Sequence, residues 1–124
     1  MAEMFGINWD SFNQVKKPWG WYCVITQGFN FKLKLLWVEP HHRLSAQMHM
    51  HREEKWLVLQ GFATAQIDSN THHLIPHQTI NIAKKQLHRL SNHSNHPLCV
   101  LEMQLGTHNH EEDIKRFEDD YHRV

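Results

Sequence analysis

The chain has 124 residues, with 13 Lys+Arg, 13 Asp+Glu and 13 His, a formal net charge of 0 and a pI near 7.2. That balance argues against a nucleic-acid binder, which would carry a basic excess or stripe. A 40% hydrophobic content with five Trp argues against disorder.

One domain is expected at this length, able to bury about two-thirds of its unfolded surface without disulfides. The histidine count equals the acidic count. Metal sites, turn positions and a pH-dependent surface charge are the available explanations. A molecule without net charge also lacks self-repulsion near neutral pH, which favours self-association.

The N-terminus, MAEMFGINWD, has an acidic Glu3 and neither a basic nor an apolar signal region. No apolar run approaches the roughly 18 residues of a membrane span. A cytoplasmic chain with no membrane partner is therefore expected. Residues 1–15 read as an arm and 16–124 as one domain with no internal repeat or linker. Met4, Phe5, Ile7 and Trp9 are too apolar for a free tail, so the arm is expected to pack on the domain or on a second subunit.

Short runs rich in aromatic and branched residues then follow one another. They are Gly20–Gln27, Phe31–Glu39, Ser45–His51, Lys55–Gln60, Ala63–Asp68, His72–Pro76, Thr79–Ala83, Gln86–Leu90 and Leu98–Leu105. Turn signals separate them, among them Gln27-Gly28, Pro40, Gln60-Gly61, Ser69-Asn70 and Pro76-His77. Strands at this spacing predict an all-β sandwich or barrel. Cys23 and Cys99 lie inside two of the runs. One disulfide or two buried thiols are the alternatives, and the thiols are favoured in a reducing compartment. Glu111–Tyr121 differs from the rest: Ile114 and Phe117 are three apart, and acidic residues suit a helix start. A short helix over 111–121 is predicted, against a solvated tail.

The most informative stretch is Gln47–Trp56, QMHMHREEKW. Along a strand alternate side chains share a face, so Gln47, His49 and His51 point one way and Met48 and Met50 the other. Polar residues inward and thioethers outward suit a strand lining a polar pocket. Two imidazoles about 7 Å apart can reach one ion. Glu54 opens the next strand, and His88 lies in another that ends in a turn. The candidate metal ligands are His49, His51, Glu54 and His88, with Gln47 as a further candidate. Imidazole and carboxylate fit Zn, Co, Mn, Fe or Ni. An isolated His-x-His in a His-rich chain is weak evidence; chance is the competing explanation.

The spacing His49-x-His51, two residues, Glu54, six residues, Gly61 resembles the first cupin motif, and His88 with Asn92 resembles the end of the second. The segments Pro18–Tyr22, Gln47–Trp56, Ile82–Asn92 and Asp113–Tyr121 resemble the type II mannose-6-phosphate isomerase domain. That domain is often the C-terminal part of bifunctional mannose-1-phosphate guanylyltransferases. The likeness runs from about Lys16 to Arg123. It implies a cupin fold, a double-stranded β-helix or jelly-roll barrel, with a short C-terminal helix. A homodimer and a separate guanylyltransferase partner are what it implies for assembly. Several positions depart from the family pattern. His41, His77 and His122 stand where the family often has Gly, and Ala83-Lys84-Lys85 replaces a Pro-x-Gly ahead of His88. His tolerates left-handed backbone better than most residues, so these three are expected in turns. Met50 replaces a central His.

The resemblance implies a metal-dependent isomerisation of mannose 6-phosphate to fructose 6-phosphate through an enediol, feeding GDP-mannose and polysaccharide synthesis. Such chemistry needs charge stabilisation at the sugar oxygens, a base and a phosphate pocket. Arg52, Arg116 and Arg123 are the phosphate candidates; pairing with neighbouring carboxylates is their bland reading. Arg116 and Arg123 would share a face of a continuous helix. Glu102 is the candidate base if Leu101, Met103 and Leu105 pack outward; otherwise it faces solvent or a partner. Trp19, Trp21, Tyr22, Trp37 and Trp56 read first as core or interface, with sugar stacking as the alternative. Two other functions compete: a non-catalytic cupin that binds a sugar phosphate or nucleotide sugar, and an iron-dependent cupin dioxygenase.

Overall fold

The computed structural model describes residues 3–4, 7–8, 12–106 and 113–122. Fourteen strands form, and no helix occurs among these residues. In the arm, β1 (Glu3–Met4) pairs antiparallel with β2 (Ile7–Asn8). The arm's Met4, Phe5, Ile7 and Trp9 side chains lie outside the described residues.

Next come β3 (Gln14–Lys17), β4 (Gly20–Gln27), β5 (Phe31–Val38), β6 (His42–Arg43) and β7 (Ala46–Met48). They are followed by β8 (Glu53–Gln60), β9 (Ala63–Ile67), β10 (Asn70–Leu74) and β11 (Thr79–Ile82). The last are β12 (His88–Asn92), β13 (Leu98–Leu105) and β14 (Lys115–Glu118). The predicted strands recur with shifted ends, because alternation and turn residues mark strands locally while pairing sets their limits.

Two antiparallel six-stranded sheets result. One runs β11-β8-β13-β5-β4-β3; the other runs β10-β9-β12-β7-β14, with β6 on β12. Residues from both, including Leu36, Val58, Val100, Ala65 and Leu90, share one buried core. This is the double-stranded β-helix that the family resemblance implies.

Register builds the interior in layers. Leu98 lies opposite Val38, and Val100 lies between Leu36 and Val58. Glu102 lies between Lys34 and Trp56, and Gln104 between Lys32 and Glu54. All of these are buried. The inward face thus passes from apolar to charged along the same strands.

On the outer face, Cys23, Leu35, Trp37 and Cys99 form a second cluster, with Trp21 and Phe12 packed against it. Trp21 and Trp37 stack with ring centroids 5.7 Å apart. Both cysteines are free and buried. Burial pushes the Cys99 thiol up to about 12, so it stays protonated and unreactive. No described helix is long and apolar enough to cross a membrane.

The C-terminal segment corrects the sequence reading. In place of the helix expected over 111–121, Lys115–Glu118 is a strand that pairs with β7. The backbone groups of β7 need partners, and the extended segment Lys115–Glu118 supplies them. Arg116 therefore lies on a strand and not on a helix face shared with Arg123, which lies outside the described residues.

The histidine turns form as expected: His41, His77 and His122 have φ of 61°, 76° and 61°. Lys85, in the segment that departs from Pro-x-Gly, has φ 66°. Gly61 has φ 88°, and a Cβ there would lie 2.5 Å from the Pro97 carbonyl oxygen, so the β8–β9 turn needs glycine.

Candidate metal centre and adjoining cavity

The candidate ligand side chains converge because the ends of three strands meet. His88 starts β12, directly opposite Gln47 of β7. His49 follows β7 by one residue, and Glu54 is the second residue of β8. One ligand atom from each of His49, Glu54 and His88 lies within 4.8 Å of the others, and all three residues are buried. The two imidazole rings are 4.9 Å apart, and the edge of Trp56 meets His88 at 5.7 Å.

Hydrogen bonds orient these groups. His49 Nδ1 bonds the Asp113 carbonyl, and His88 Nδ1 bonds the Gln86 carbonyl at 2.9 Å. A carbonyl only accepts, so each Nδ1 carries the proton and each Nε2 is left to face Glu54. His88 Nε2 is buried with no hydrogen-bond partner, 3.8 Å from Glu54 Oε1. His49 Nε2 lies 3.0 Å from Glu54 Oε2. Both atoms are acceptors there, and Arg52 Nη2 lies between them, 3.2 Å from His49 Nε2 and 3.0 Å from Glu54 Oε2.

Glu54 is held in place from three sides. Trp56 Nε1 donates to Oε1, and Arg52 Nε donates to Oε2, each at 3.0 Å. Arg52 Nη2 also donates to His49 Nε2 at 3.2 Å. Burial pushes the Glu54 carboxyl up. The hydrogen-bond contacts with His49 and Glu102 outweigh it, holding Glu54 well below the usual carboxylate range. Burial lowers His88, keeping its ring neutral. An ionised carboxylate beside imidazole lone pairs is a donor set suited to a divalent cation.

His51 is not brought into this group. The strand alternation that would align it with His49 ends at Met48, and His51 is exposed in the bend before β8. Both Met50 N–H and His51 N–H donate to the Asp113 carboxylate, each at 3.1 Å, which fixes that bend. Gln47 is half-buried and donates to Ser45 Oγ at 3.0 Å.

Beside the cluster is a small cavity of about 100 Å³, partly open to solvent. Its wall includes Lys17, Lys34, Gln47, Arg52, Glu102 and Arg116. Lys34 is buried, with Nζ 3.8 Å from the Tyr22 ring centroid. Glu102 is buried opposite Lys34. Burial first, and then the charge of Glu54, push its carboxyl up to about 8. Gln104 Nε2 donates to it at 3.4 Å.

The sequence reading placed Glu102 and Arg116 on this wall's candidate list but missed Lys17 and Lys34. The signal for Lys34 was present: it alternates in β5 with Leu33 and Leu35 and is in phase with Leu36 and Val38. Arg52, a phosphate candidate, lines the cavity and also pairs with a neighbouring carboxylate, donating to Glu54 and to His49. Trp19 and Tyr22 reach the cavity wall as well, whereas Trp21 and Trp37 build the outer cluster.

Relatives and solved structures place this geometry in context. The chain is 41% identical over 111 residues to the alginate biosynthesis protein AlgA of Pseudomonas aeruginosa, covering 90% of this chain and 23% of AlgA. It is 40% identical to the xanthan biosynthesis protein XanB of Xanthomonas campestris, covering 90% and 24%. It is 38% identical to the mannose-1-phosphate guanylyltransferase ManC of Salmonella typhimurium, covering 90% and 23%. The chain thus spans about a quarter of the length of these curated relatives.

Among solved structures, a Klebsiella pneumoniae conserved protein with a double-stranded β-helix domain matches with a TM-score of 0.75 at 14% identity, covering 94% of this chain and all of that one. The capsular polysaccharide assembling protein CapF of Staphylococcus aureus matches with a TM-score of 0.75 at 14% identity, covering 86% and 32%. At that identity these two speak for the fold alone. The family described as mannose-6-phosphate isomerase C-terminal matches residues 8–119. With that match over most of the chain, the protein belongs to the mannose-6-phosphate isomerase C-terminal family, the type II domain of the cupin fold.

Proposed function

We propose that the chain is a metal-dependent sugar-phosphate isomerase that interconverts mannose 6-phosphate and fructose 6-phosphate. The observation that carries this reading is the adjacency of two things: a buried His49–Glu54–His88 donor set and a cavity walled by cations and the high-pKa Glu102. His49, Glu54 and His88 would hold one divalent cation, with Gln47 as the fourth candidate ligand opposite His88. His51, on the exposed bend, is left out of this set. The cation would supply charge stabilisation for the sugar oxygens during proton transfer.

The chain's own residues would supply the rest. Arg116 and Lys17 line the cavity and would bind the phosphate, fixing the sugar's position. Arg123 remains the further phosphate candidate. Glu102 would take the proton from C2 and return it to C1, while the hydroxyl proton on O2 passes to O1 through the enediol between the two steps. A carboxyl raised by burial is a stronger base than an ordinary one. Lys34, opposite Glu102, balances the charge of that carboxylate.

The relatives named for alginate and xanthan biosynthesis and for guanylyl transfer support a place in polysaccharide or nucleotide-sugar synthesis. A homodimer and a separate guanylyltransferase partner are part of the same proposal.

The test is a coupled assay with mannose 6-phosphate after reconstitution with Zn, Co or Mn. Turnover is expected, with Glu102→Gln lowering it by about 10²–10⁴-fold at unchanged metal content. Tight sugar-phosphate binding without turnover under every metal would favour the non-catalytic reading. Oxygen uptake by the iron-loaded chain would favour a dioxygenase.

A further inference from the structure

We propose that Asp113 is a positioning residue of the metal centre, carried there by the C-terminal strand. The inference rests on the reading of His49, Glu54 and His88 as metal ligands. It adds a residue that touches neither the cation nor the sugar.

Three bonds join Asp113 to the segment between β7 and β8. Its backbone carbonyl accepts from His49 Nδ1, and its two carboxylate oxygens accept from Met50 N and His51 N. The first bond selects the ring tautomer that turns Nε2 toward Glu54. The other two close the bend that carries the chain from His49 to Arg52 and Glu54. A one-residue change of register there would move His49 off the ligand group, because successive side chains on an extended chain point to opposite faces.

The strand that presents Asp113 is short and otherwise thinly held. Lys115, Phe117 and Glu118 are exposed. Register puts Lys115 opposite Met48 and Arg116 opposite Gln47, so the strand lies against the metal-bearing strand. Its far end is tied by side chains: Arg43 makes two bonds to Asp120, at 2.8 and 2.9 Å, and Arg89 bonds Glu118 at 3.0 Å. Tyr121 stacks on His42, with centroids 6.4 Å apart. Asp113 and these ion pairs thus hold the two ends of the strand, and Arg116 on the cavity wall lies between them. One docked segment therefore serves both halves of the site: it orients His49 for the cation and presents Arg116 to the substrate.

The experiment titrates the full-length chain with Zn²⁺ alone against a chromogenic chelator, comparing wild type with Asp113→Ala and Asp113→Asn. Circular dichroism and the melting temperature report folding. Should Asp113→Ala fail to fold, the near-isosteric Asp113→Asn carries the comparison. Zn²⁺ affinity is expected to fall by about 10–100-fold in Asp113→Ala, and by less in Asp113→Asn, which keeps one acceptor. Amide exchange at Met50 and His51 should accelerate, which reports loss of the two carboxylate bonds. A merely structural role would not move one further readout: with the bend released, the Asp113 carbonyl no longer meets His49 Nδ1, and ¹⁵N spectra of the His49 ring should lose their single tautomer. Unchanged Zn²⁺ affinity in a folded variant would overturn the role of Asp113 while leaving the metal centre standing. A wild-type chain that takes up no stoichiometric Zn²⁺ would instead overturn the metal reading itself.

Discussion

The inward faces of β5, β8 and β13 change character along their length. At one end, Val38, Val58, Leu98 and Val100 are fully buried and apolar. At the other, Lys34, Glu54, Glu102 and Gln104 are also buried, and polar. The two ends share strands and sheet register, so secondary structure does not distinguish them.

The difference is energetic. Burying aliphatic groups is favourable, at about 25 cal/mol per Å² removed from water. Burying charges costs several kcal/mol per ion and is sustained only by close pairing. Arg52, Trp56, His49 and Gln104 provide that pairing here. The apolar end holds the fold, and the polar end is what the fold positions.

The sharpest way to break this division is at the ligands. His49→Ala is expected to abolish stoichiometric metal on elemental analysis, whereas His51→Ala should retain it. Loss in both variants would return His51 to the centre and contradict its exposed position. At the other end, Leu98→Ala should cost about 2–5 kcal/mol of stability in denaturant titrations, with metal stoichiometry unchanged. A metal loss there would mean that the two ends are coupled.

The smallest effect concerns the strand that closes the polar end. The hydrogen bond from Arg43, the leading cause, holds Asp120 below its usual value. A carboxyl depressed in the folded state contributes stability above its unfolded pKa and loses it as pH falls through the folded one. The Arg43–Asp120 contribution should therefore be present at pH 6 and fade below about pH 4. The pair's side chains are 37% and 43% exposed, so Arg43→Ala should cost only about 0.2–1 kcal/mol at pH 6. A difference of equal size at pH 3 would show that Arg43 acts through packing and not through charge.

Much of the site was readable locally, and the reasons are specific. Spacing and motif resemblance made His49, Glu54 and His88 candidates, and the structure brings the three together; His41, His77 and His122 were expected in turns from the tolerance of His for left-handed backbone. His51 failed because strict alternation was carried past the end of β7, where the Asp113 carboxylate bends the chain. Asp113 itself is 64 residues from His49 in sequence, and no local pattern joins them. Lys34 was visible as a period but not as an inward residue. Two lysines in a strand ordinarily mark the solvent face, and only the partner strands reverse that.

The chain by itself determined an all-β architecture, the order of strands and turns, and the residue types able to bind a cation. Those properties follow from periodicity, turn chemistry and side-chain donors, all of which act over a few residues. Tertiary structure alone decided which face of each strand is inward. It also converted the expected C-terminal helix into β14 and left His51 exposed, apart from His49, Glu54 and His88. These outcomes depend on backbone groups seeking partners far along the chain and on buried charges requiring neighbours to balance them.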